Sequence, residues 1–334
     1  MELALLGAGH IHTPGFIEEL NARKEQFSVK YVWDHDAARA EKRAGELGAM
    51  AISDLAQVWE DASIPAVVIC SETNLHEELV LPAAAAGKDI FAEKPLGMGA
   101  ADGYAMASAV EKAGVKFHTG YFQRGNAKHI FLREQIAAGH FGKITRIRGS
   151  NCHSGALGGW FDGEWRWMAD PKIAGVGAFG DLGTHSLDIM LWLMGRVTSA
   201  TANIGVGTAR YGDCDEFGEG MMRFANGAVG TLASSWDDID NPVSMLISGT
   251  EGHATIFRGQ LYFNCKNVEG ADGKTPWTAL PADQSSGFPL FLDILAGIDT
   301  PSELVTAREA AYRSAVMAAM YEGAKKQTWV APVE

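Results

Sequence analysis

Strand-like apolar segments alternate with helical segments over the first 121 residues of the chain. We predict strands over Glu2–Leu6, Ser28–Trp33, Ala66–Cys70, Asp89–Ala92 and Val115–Gly120, and helices over Ala37–Leu47, Leu75–Ala86 and Ala100–Ala113. The Ala66–Cys70 segment is apolar throughout, as expected for a strand that is covered on both faces of a parallel sheet. Strict alternation of this kind predicts an α/β domain with a doubly wound parallel sheet.

A glycine-rich turn follows the first predicted strand. Gly7 and Gly9 are followed by His10 and Ile11, and a helix begins shortly after them. In such a turn the glycines let the backbone approach a pyrophosphate, and amide groups at the helix N-terminus receive its charge. The turn therefore predicts a dinucleotide site, with His12 in the position of the third glycine of the usual GxGxxG pattern.

A carboxylate ends the second predicted strand. Asp34 follows Trp33, and a carboxylate at this position accepts hydrogen bonds from the adenosine ribose hydroxyls of a dinucleotide. It would repel a 2′-phosphate, and no arginine directly follows it, so we predict NAD in preference to NADP. The alternative is that Asp34 or Asp36 caps the next helix, which is compatible with the same fold.

Polar side chains follow several of the predicted strands. Ligands of doubly wound sheets bind beyond the carboxyl ends of the strands, so we expect these side chains to line the cofactor site. They are Ser71, Thr73, Asn74, His76, Glu93, Lys94 and Gln123. Lys94 precedes Pro95, which favours extended backbone, and from this edge it could hydrogen-bond a substrate hydroxyl. A solvated loop lysine is the alternative.

The stretch from Gly175 to Gly195 combines glycines with three ionisable side chains. A helix is predicted to begin near Asp181, and Asp181, His185 and Asp188 then share one helix face. A carboxylate one turn before a histidine can orient the imidazole for proton transfer near neutral pH. The alternatives are a helix-dipole carboxylate beside a surface histidine, or a metal site, for which no further ligand is evident.

The second half of the chain is rich in predicted strands. They cover Lys143–Ser150, Ala200–Thr208, Glu216–Phe224, Ala228–Trp236, Val243–Gly249, Gly252–Phe257 and Gln260–Cys265, with helices over Phe122–Gly139, Phe288–Ala296 and Glu303–Lys325. Residues 151–170 form a loop whose aromatic and polar side chains suit a sugar ring, although they could equally cover the core or an oligomer contact. The loop contains His153, Trp160, Trp165, Arg166 and Trp167.

Composition excludes several classes of function. The net charge of −13 argues against a nucleic-acid partner, and the sequence has no apolar run of the length that spans a membrane. The N-terminal residues predict a buried strand in place of a signal peptide. Four cysteines are scattered without metal-binding spacing, so we expect reduced thiols, no metal and a cytoplasmic location.

Three motifs occur in order along the chain: GAGHIH, AEKP and GVGAFGDLGTH. With Trp165–Arg166 before the third motif, the chain resembles the Gfo/Idh/MocA oxidoreductases, the family of glucose–fructose oxidoreductase and inositol dehydrogenase. The resemblance implies a Rossmann domain over residues 1–121. It implies an α+β domain with a large open, mostly antiparallel sheet over residues 122–334. It also implies a cis Lys94–Pro95 bond.

The resemblance implies NAD(P)-dependent oxidation of a sugar or polyol, or reduction of the ketone, with Lys94, Asp181 and His185 as catalytic residues. Trp165 and Arg166 join the predicted cofactor site. The predicted substrate contacts are Lys94, Gln123, His153, Trp160, Trp165, Asp181 and His185. We expect a homodimer or homotetramer joined through the second sheet, because too few helices follow residue 140 to cover both of its faces. Two alternatives stay open: a glycosidase that uses transient oxidation by NAD, and a regulator that binds NAD without turnover.

Overall fold

The computed structural model describes residues 1–334, which form two compact units. The first unit comprises residues 1–121, 161–175 and 285–314. The second comprises residues 122–160, 176–284 and 315–334. Each unit contains one sheet, and the two sheets differ in strand direction. The domain boundary at residue 121 stays a prediction.

The first unit is built on a six-stranded parallel sheet with the strand order β3-β2-β1-β4-β5-β6. Its strands are β1 (Glu2–Leu6), β2 (Ser28–Trp33), β3 (Met50–Ile52), β4 (Ala66–Ile69), β5 (Asp89–Ala92) and β6 (Phe117–Thr119). Its helices are α1 (Thr13–Ala22), α2 (Ala37–Leu47), α3 (Ala56–Trp59), α4 (His76–Ala85), α5 (Ala100–Ala113), α7 (Pro171–Ala174) and α9 (Gly287–Leu295). The predicted doubly wound parallel sheet is confirmed.

Apolar side chains cover both faces of this parallel sheet. Successive side chains of a strand point to opposite faces, and β1 shows the consequence. Ala4 and Leu6 belong to one buried cluster, whereas Leu3 and Leu5 belong to the other. The sheet is therefore buried on both sides, and its carboxyl edge is the place where polar loops can gather.

The second unit is built on a seven-stranded sheet with the order β13-β12-β11-β7-β10-β9-β8. Its strands are β7 (Ile144–Cys152), β8 (Val197–Gly205), β9 (Phe217–Phe224), β10 (Val229–Ser235), β11 (Val243–Gly249), β12 (Gly252–Phe257) and β13 (Gln260–Cys265). All neighbouring pairs are antiparallel except β7 and β10. The predicted open, mostly antiparallel sheet is confirmed.

Helices of the second unit include α6 (Ala127–Ala137) and α8 (Ala178–Met194), and α10 (Ala307–Lys326) begins in the first unit and continues in the second. Helix α8 packs on β7, β9 and β10. Strand β9 alternates between exposed and buried residues, as expected when helices cover one face only.

Several predicted boundaries differ from the structure. Helix α8 begins at Ala178 and not near Asp181, because Gly177 provides the extended N-cap residue. The predicted helix from Phe122 to Gly139 is shorter: a 3₁₀ turn over Gln123–Gly125 precedes α6, whose N-cap is Asn126. The sequence analysis did not predict β3, α3 and α7, because three or four residues carry too little periodicity to be recognised.

Candidate active site

The glycine turn after β1 lies tightly against the chain that follows β4. Gly7 has φ +74°, and a Cβ added there would lie 2.3 Å from the Cβ of Ser71. A Cβ at Gly9 would lie 2.9 Å from a carboxylate oxygen of Glu72. The turn is fixed from the other side as well, since the Gly7 amide donates to the Trp33 carbonyl at 2.7 Å. Gly7 is therefore required for the path of the chain, whereas a side chain at Gly9 would meet the ends of the Glu72 and Arg39 side chains.

Asp34 lies at the end of β2, where the sequence analysis placed it. Its Oδ2 accepts from the Ala8 amide at 2.7 Å, and Arg39 binds both carboxylate oxygens at 2.8 Å. Arg39 also donates to Glu72 at 2.8 Å. The carboxylate is thus coupled to the glycine turn, and its contact with a ribose stays a prediction. The sequence analysis missed Arg39. The feature that could have indicated it is a basic side chain in the first turn of α2, five residues after Asp34.

These features fit a dinucleotide. The turn brings backbone close to the N-terminus of α1, whose first turn contains Pro14 and leaves amide groups for an anion. His10 is buried and Ile11 is half-buried at the same turn. A carboxylate stands at the end of the second strand, at the distance along the chain that an adenosine ribose requires.

The AEKP motif follows β5 and is almost fully buried. Glu93 is 0% exposed and Lys94 is 3% exposed. Glu93 accepts from the Lys94 amide and pairs with Nδ1 of His12, each at 2.9 Å. Burial opposes ionisation of Glu93, but the charges of His10, His12 and Lys94 outweigh it and hold its pKa well below the ordinary value. The Lys94–Pro95 bond is cis, as the resemblance implied.

Other predicted cofactor residues lie beyond β4. Thr73 and His76 are buried, whereas Asn74 is exposed. His76 contacts the Leu96 carbonyl through Nδ1 at 3.0 Å, and burial lowers the pKa of its imidazole. His76 is therefore neutral and connects the start of α4 to the loop that contains Lys94.

Part of the aromatic loop belongs to the first unit. Trp167 donates its indole N–H to the Gly9 carbonyl at 2.7 Å, so this tryptophan supports the glycine turn. Arg166 donates to the Ala169 carbonyl at 3.1 Å, and Trp165 is the N-cap residue of the 3₁₀ segment that begins at Arg166. The sequence analysis noted Trp167 in this loop but did not predict it as a site residue.

In the second unit, Asp181 and His185 lie one turn apart on α8. They are 8% and 5% exposed. The indole N–H of Trp236 donates to Oδ2 of Asp181 at 3.2 Å, and Trp236 itself is 0% exposed. The ring of Phe122 lies 5.1 Å from the ring of His185. The predicted acid–base pair is therefore buried beside aromatic side chains, and the alternative of a surface histidine is wrong.

The N-terminus of α8 is held by two side chains from distant parts of the chain. Asp215 accepts from the Phe179 amide at 2.8 Å. Tyr321 donates to Asp215 at 3.0 Å and accepts from the Gly177 and Gly180 amides at 3.2 and 3.0 Å. Burial raises the pKa of Asp215. The sequence analysis missed both residues, because nothing near them in the sequence marks a partnership across more than 100 positions.

Two sets of side chains have residue types found in metal sites. The first set is Asp181, His185 and Asp188. In it, the carboxylate of Asp188 is already bound by Arg124 in a two-point ion pair, at 2.6 and 3.0 Å. The second set is His10, His12 and Glu93, whose ligand atoms lie within 4.8 Å of one another. There, Nδ1 of His12 is bound to Glu93, and Nδ1 of His10 accepts from the His12 amide at 3.2 Å. We interpret this set as hydrogen-bonded imidazole and carboxylate groups.

The remaining predicted substrate contacts lie in the second unit. The rings of His153 and Trp160 are 4.6 Å apart, and Trp160 is 49% exposed. Nδ1 of His153 accepts from the Gly155 amide at 2.9 Å. Gln123 begins the 3₁₀ turn before α6, and its carbonyl contacts the His129 ring at 2.9 Å. The pairing of His153 with Trp160 presents an aromatic surface of the kind that packs on a sugar ring.

The glycine turn on a doubly wound parallel sheet gives the first unit the arrangement typical of nicotinamide-dependent oxidoreductases. The chain belongs to the Gfo/Idh/MocA oxidoreductase family. Residues 1–121 match that oxidoreductase family with its NAD-binding Rossmann fold, and residues 129–255 match the Gfo/Idh/MocA C-terminal domain. The resemblance drawn from the three motifs is confirmed.

The sequence identity to individual relatives is low. The chain is 30% identical to levoglucosan dehydrogenase of Pseudarthrobacter phenanthrenivorans over 240 residues, which cover 65% of this chain and 60% of that protein. It is 29% identical to scyllo-inositol 2-dehydrogenase (NAD(+)) of Bacillus subtilis over 81% of this chain and 78% of that protein. A structure of levoglucosan dehydrogenase with NADH and levoglucosan matches all of both chains at a TM-score of 0.81 and 23% identity. This similarity shows that the two chains share the same fold.

None of the helices in the chain has the length and apolar character needed to cross a membrane.

Proposed function

We propose that this protein is an NAD-dependent dehydrogenase that oxidises a secondary alcohol of a sugar, inositol or related polyol, or reduces the matching ketone. The compounds for which two relatives are named, levoglucosan and scyllo-inositol, are both polyhydroxylated rings. The aromatic pair of His153 and Trp160 suits the same class of ligand.

One observation carries the proposal: Lys94, Asp181 and His185 are all ionisable and all less than one tenth exposed. Burial of ionisable side chains is unfavourable, and it is found mainly where their chemistry is used. Each of the three lies within a motif that also contains the glycines or the proline typical of the family.

The roles of the three side chains follow from their chemistry. Bound NAD supplies the acceptor for the hydride that leaves the substrate carbon. His185 takes the hydroxyl proton, and the Asp181 carboxylate, held by the Trp236 indole, favours the charged imidazole that results. Lys94 donates a hydrogen bond to the substrate oxygen and stabilises its developing negative charge. Lys94 is also the alternative acceptor of the proton.

A panel of inositols, hexoses, pentoses and anhydrosugars tests the proposal. With NAD present, we expect the absorbance of reduced cofactor to grow with at least one member of the panel. Absence of turnover across the whole panel would contradict it. A glycosidase would release sugar without net reduction of NAD, and a regulator would bind NADH without activity on any sugar.

We further propose that the protein acts in a reducing, cytoplasmic compartment as a homodimer or homotetramer. All four cysteines are free, which suits a compartment where thiols stay reduced. The uncovered face of the second sheet includes Phe217, Met221, Val229 and Phe257, each at least 40% exposed. Pairing of two such faces about a two-fold axis would remove this apolar surface from water.

A further inference from the structure

His12 stands where the fingerprint of dinucleotide-binding turns has its third glycine. It is the N-cap residue of α1 with φ −81° and ψ −12°, a conformation that any side chain adopts. Its imidazole is 38% exposed, so part of the ring is accessible at the N-terminus of α1. The position is thus occupied by a titratable side chain where the fold ordinarily has none.

The other edge of the ring is fixed by Glu93. Nδ1 of His12 lies 2.9 Å from Oε1 of a carboxylate that is 0% exposed. An ionised carboxylate only accepts hydrogen bonds, so Nδ1 carries the proton. In the neutral ring Nε2 is then an acceptor, and only the charged ring can donate from Nε2.

We propose that His12 is a cofactor-binding residue whose charged imidazole donates from Nε2 to the dinucleotide pyrophosphate, with the buried Glu93 as its counter-ion. The pyrophosphate of a dinucleotide lies at the N-terminus of this first helix, which is where His12 is. An anion cannot accept a bond from Nε2 of the neutral ring, so binding takes up a proton wherever the ring of the free protein is neutral. The inference rests on the proposed use of NAD but not on turnover.

The positive groups around the pair favour the ionised form of Glu93. The His10 ring meets the His12 ring edge-on at 4.7 Å, and its Nδ1 is 3.8 Å from Glu93. Lys94 contributes a further positive charge near Glu93, and Cys70 and His76 interact electrostatically with the same carboxylate. Glu93 is the carboxylate within reach of the ring, and it would be the counter-ion of the charged imidazole in the complex.

The experiment measures the Kd of NADH by its fluorescence, and the Kd of ADP-ribose by calorimetry, between about pH 6 and pH 8. A single coupled proton changes Kd by up to about tenfold per pH unit, so we expect at least a fivefold weakening for both ligands over this range. The His12→Gln variant keeps a donor for Glu93 but cannot be charged, and its Kd should vary by less than about twofold. His253→Gln in the second unit is the matched control and should behave as the unchanged protein.

A flat Kd in the unchanged protein, or an undiminished pH dependence in His12→Gln, would overturn the proposal. A dependence seen with NADH but not with ADP-ribose would also overturn it, because both ligands contain the pyrophosphate. Stoichiometric metal in the purified protein that is lost in His12→Gln would assign the pair to a metal instead. If the variant does not fold, calorimetry of the unchanged protein in two buffers of different ionisation enthalpy reports proton uptake directly, and zero uptake would contradict the proposal.

Discussion

At the scale of single residues, the three proposed catalytic side chains differ in what holds them. Lys94 follows a buried glutamate and precedes the cis bond to Pro95, whereas Asp181 is fixed by an indole N–H and His185 packs near Phe122. Of these neighbours, Glu93 and Pro95 lie in the motif that identifies Lys94, whereas Trp236 and Phe122 lie outside the motif that identifies Asp181 and His185. The motifs therefore predict which residues react but not what orients them.

Replacement of the catalytic side chains should affect turnover and not cofactor binding. We expect Lys94→Ala and His185→Ala each to lower kcat by about 10²-fold or more, because each removes proton transfer or charge stabilisation in the transition state. Steady-state kinetics and NADH titration measure the two effects. Near-normal turnover in His185→Ala would exclude it as the base and leave Lys94 as the candidate.

Cofactor preference should depend on the carboxylate at the end of β2. We expect the unchanged protein to have a higher kcat/KM with NAD than with NADP, because Asp34 repels a 2′-phosphate. The double variant Asp34→Ser with His35→Arg should shift the preference towards NADP, and release of Arg39 from Asp34 should assist it. A higher kcat/KM with NADP in the unchanged protein would show that the ribose argument is wrong.

At the scale of elements, the segments between β8 and α10 show what sequence patterns leave out. Long alternating strands and the Asn226–Gly227 turn were predictable, because period and turn chemistry are local. The clamp of Asp215 and Tyr321 on the first turn of α8 was not, because it joins positions 106 residues apart. Trp236 and Arg39 were not predictable either, because they act on Asp181 and Asp34 through contacts that form only in the folded chain.

A carboxylate pair beside this clamp should make stability depend on pH. Both carboxylate oxygens of Asp237 are buried without a hydrogen-bond partner, and Glu216 beside it is 0% exposed. Burial, with the charge of Glu216, raises the pKa of Asp237 to about 6. Because this folded-state pKa lies above the unfolded value, stability is fully present below the unfolded pKa and is lost as the pH rises through about 6.

The Asp237→Asn variant tests this effect. We expect its Tm to exceed that of the unchanged protein by at least about 2 °C at pH 8, with the gain mostly gone at about pH 4. Asp240→Asn is the control, since Asp240 pairs with Arg258 at the surface and should show little change. Equal melting temperatures of the unchanged protein and Asp237→Asn at pH 8 would contradict the account.

At the scale of the whole molecule, one face of the seven-stranded sheet has no helix on it. Its apolar members are interspersed with charged pairs such as Arg148 and Glu219, so the face has the mixed character of a subunit interface. The sequence predicted the sheet and its uncovered face from the count of helices. The mixed composition was not predictable, because it depends on strand register.

Light scattering should detect the expected assembly. At micromolar concentration we expect a mass of at least twice 35.7 kDa, and Met221→Glu should lower it by placing a charge in the apolar contact. Met50→Glu is the control, because Met50 is 61% exposed in the first unit and lies outside this sheet. A monomer in the unchanged protein would mean that the outer face is stable in water as it stands.

The central claim is that hydride leaves a substrate carbon for NAD while a ketone forms. With the best substrate of the polyol panel, the most direct measurement is the stoichiometry of ketone and NADH in the first turnovers. We predict equal amounts of both, since one hydride and one proton leave each alcohol. Ketone or free sugar formed without an equal amount of NADH would contradict the account.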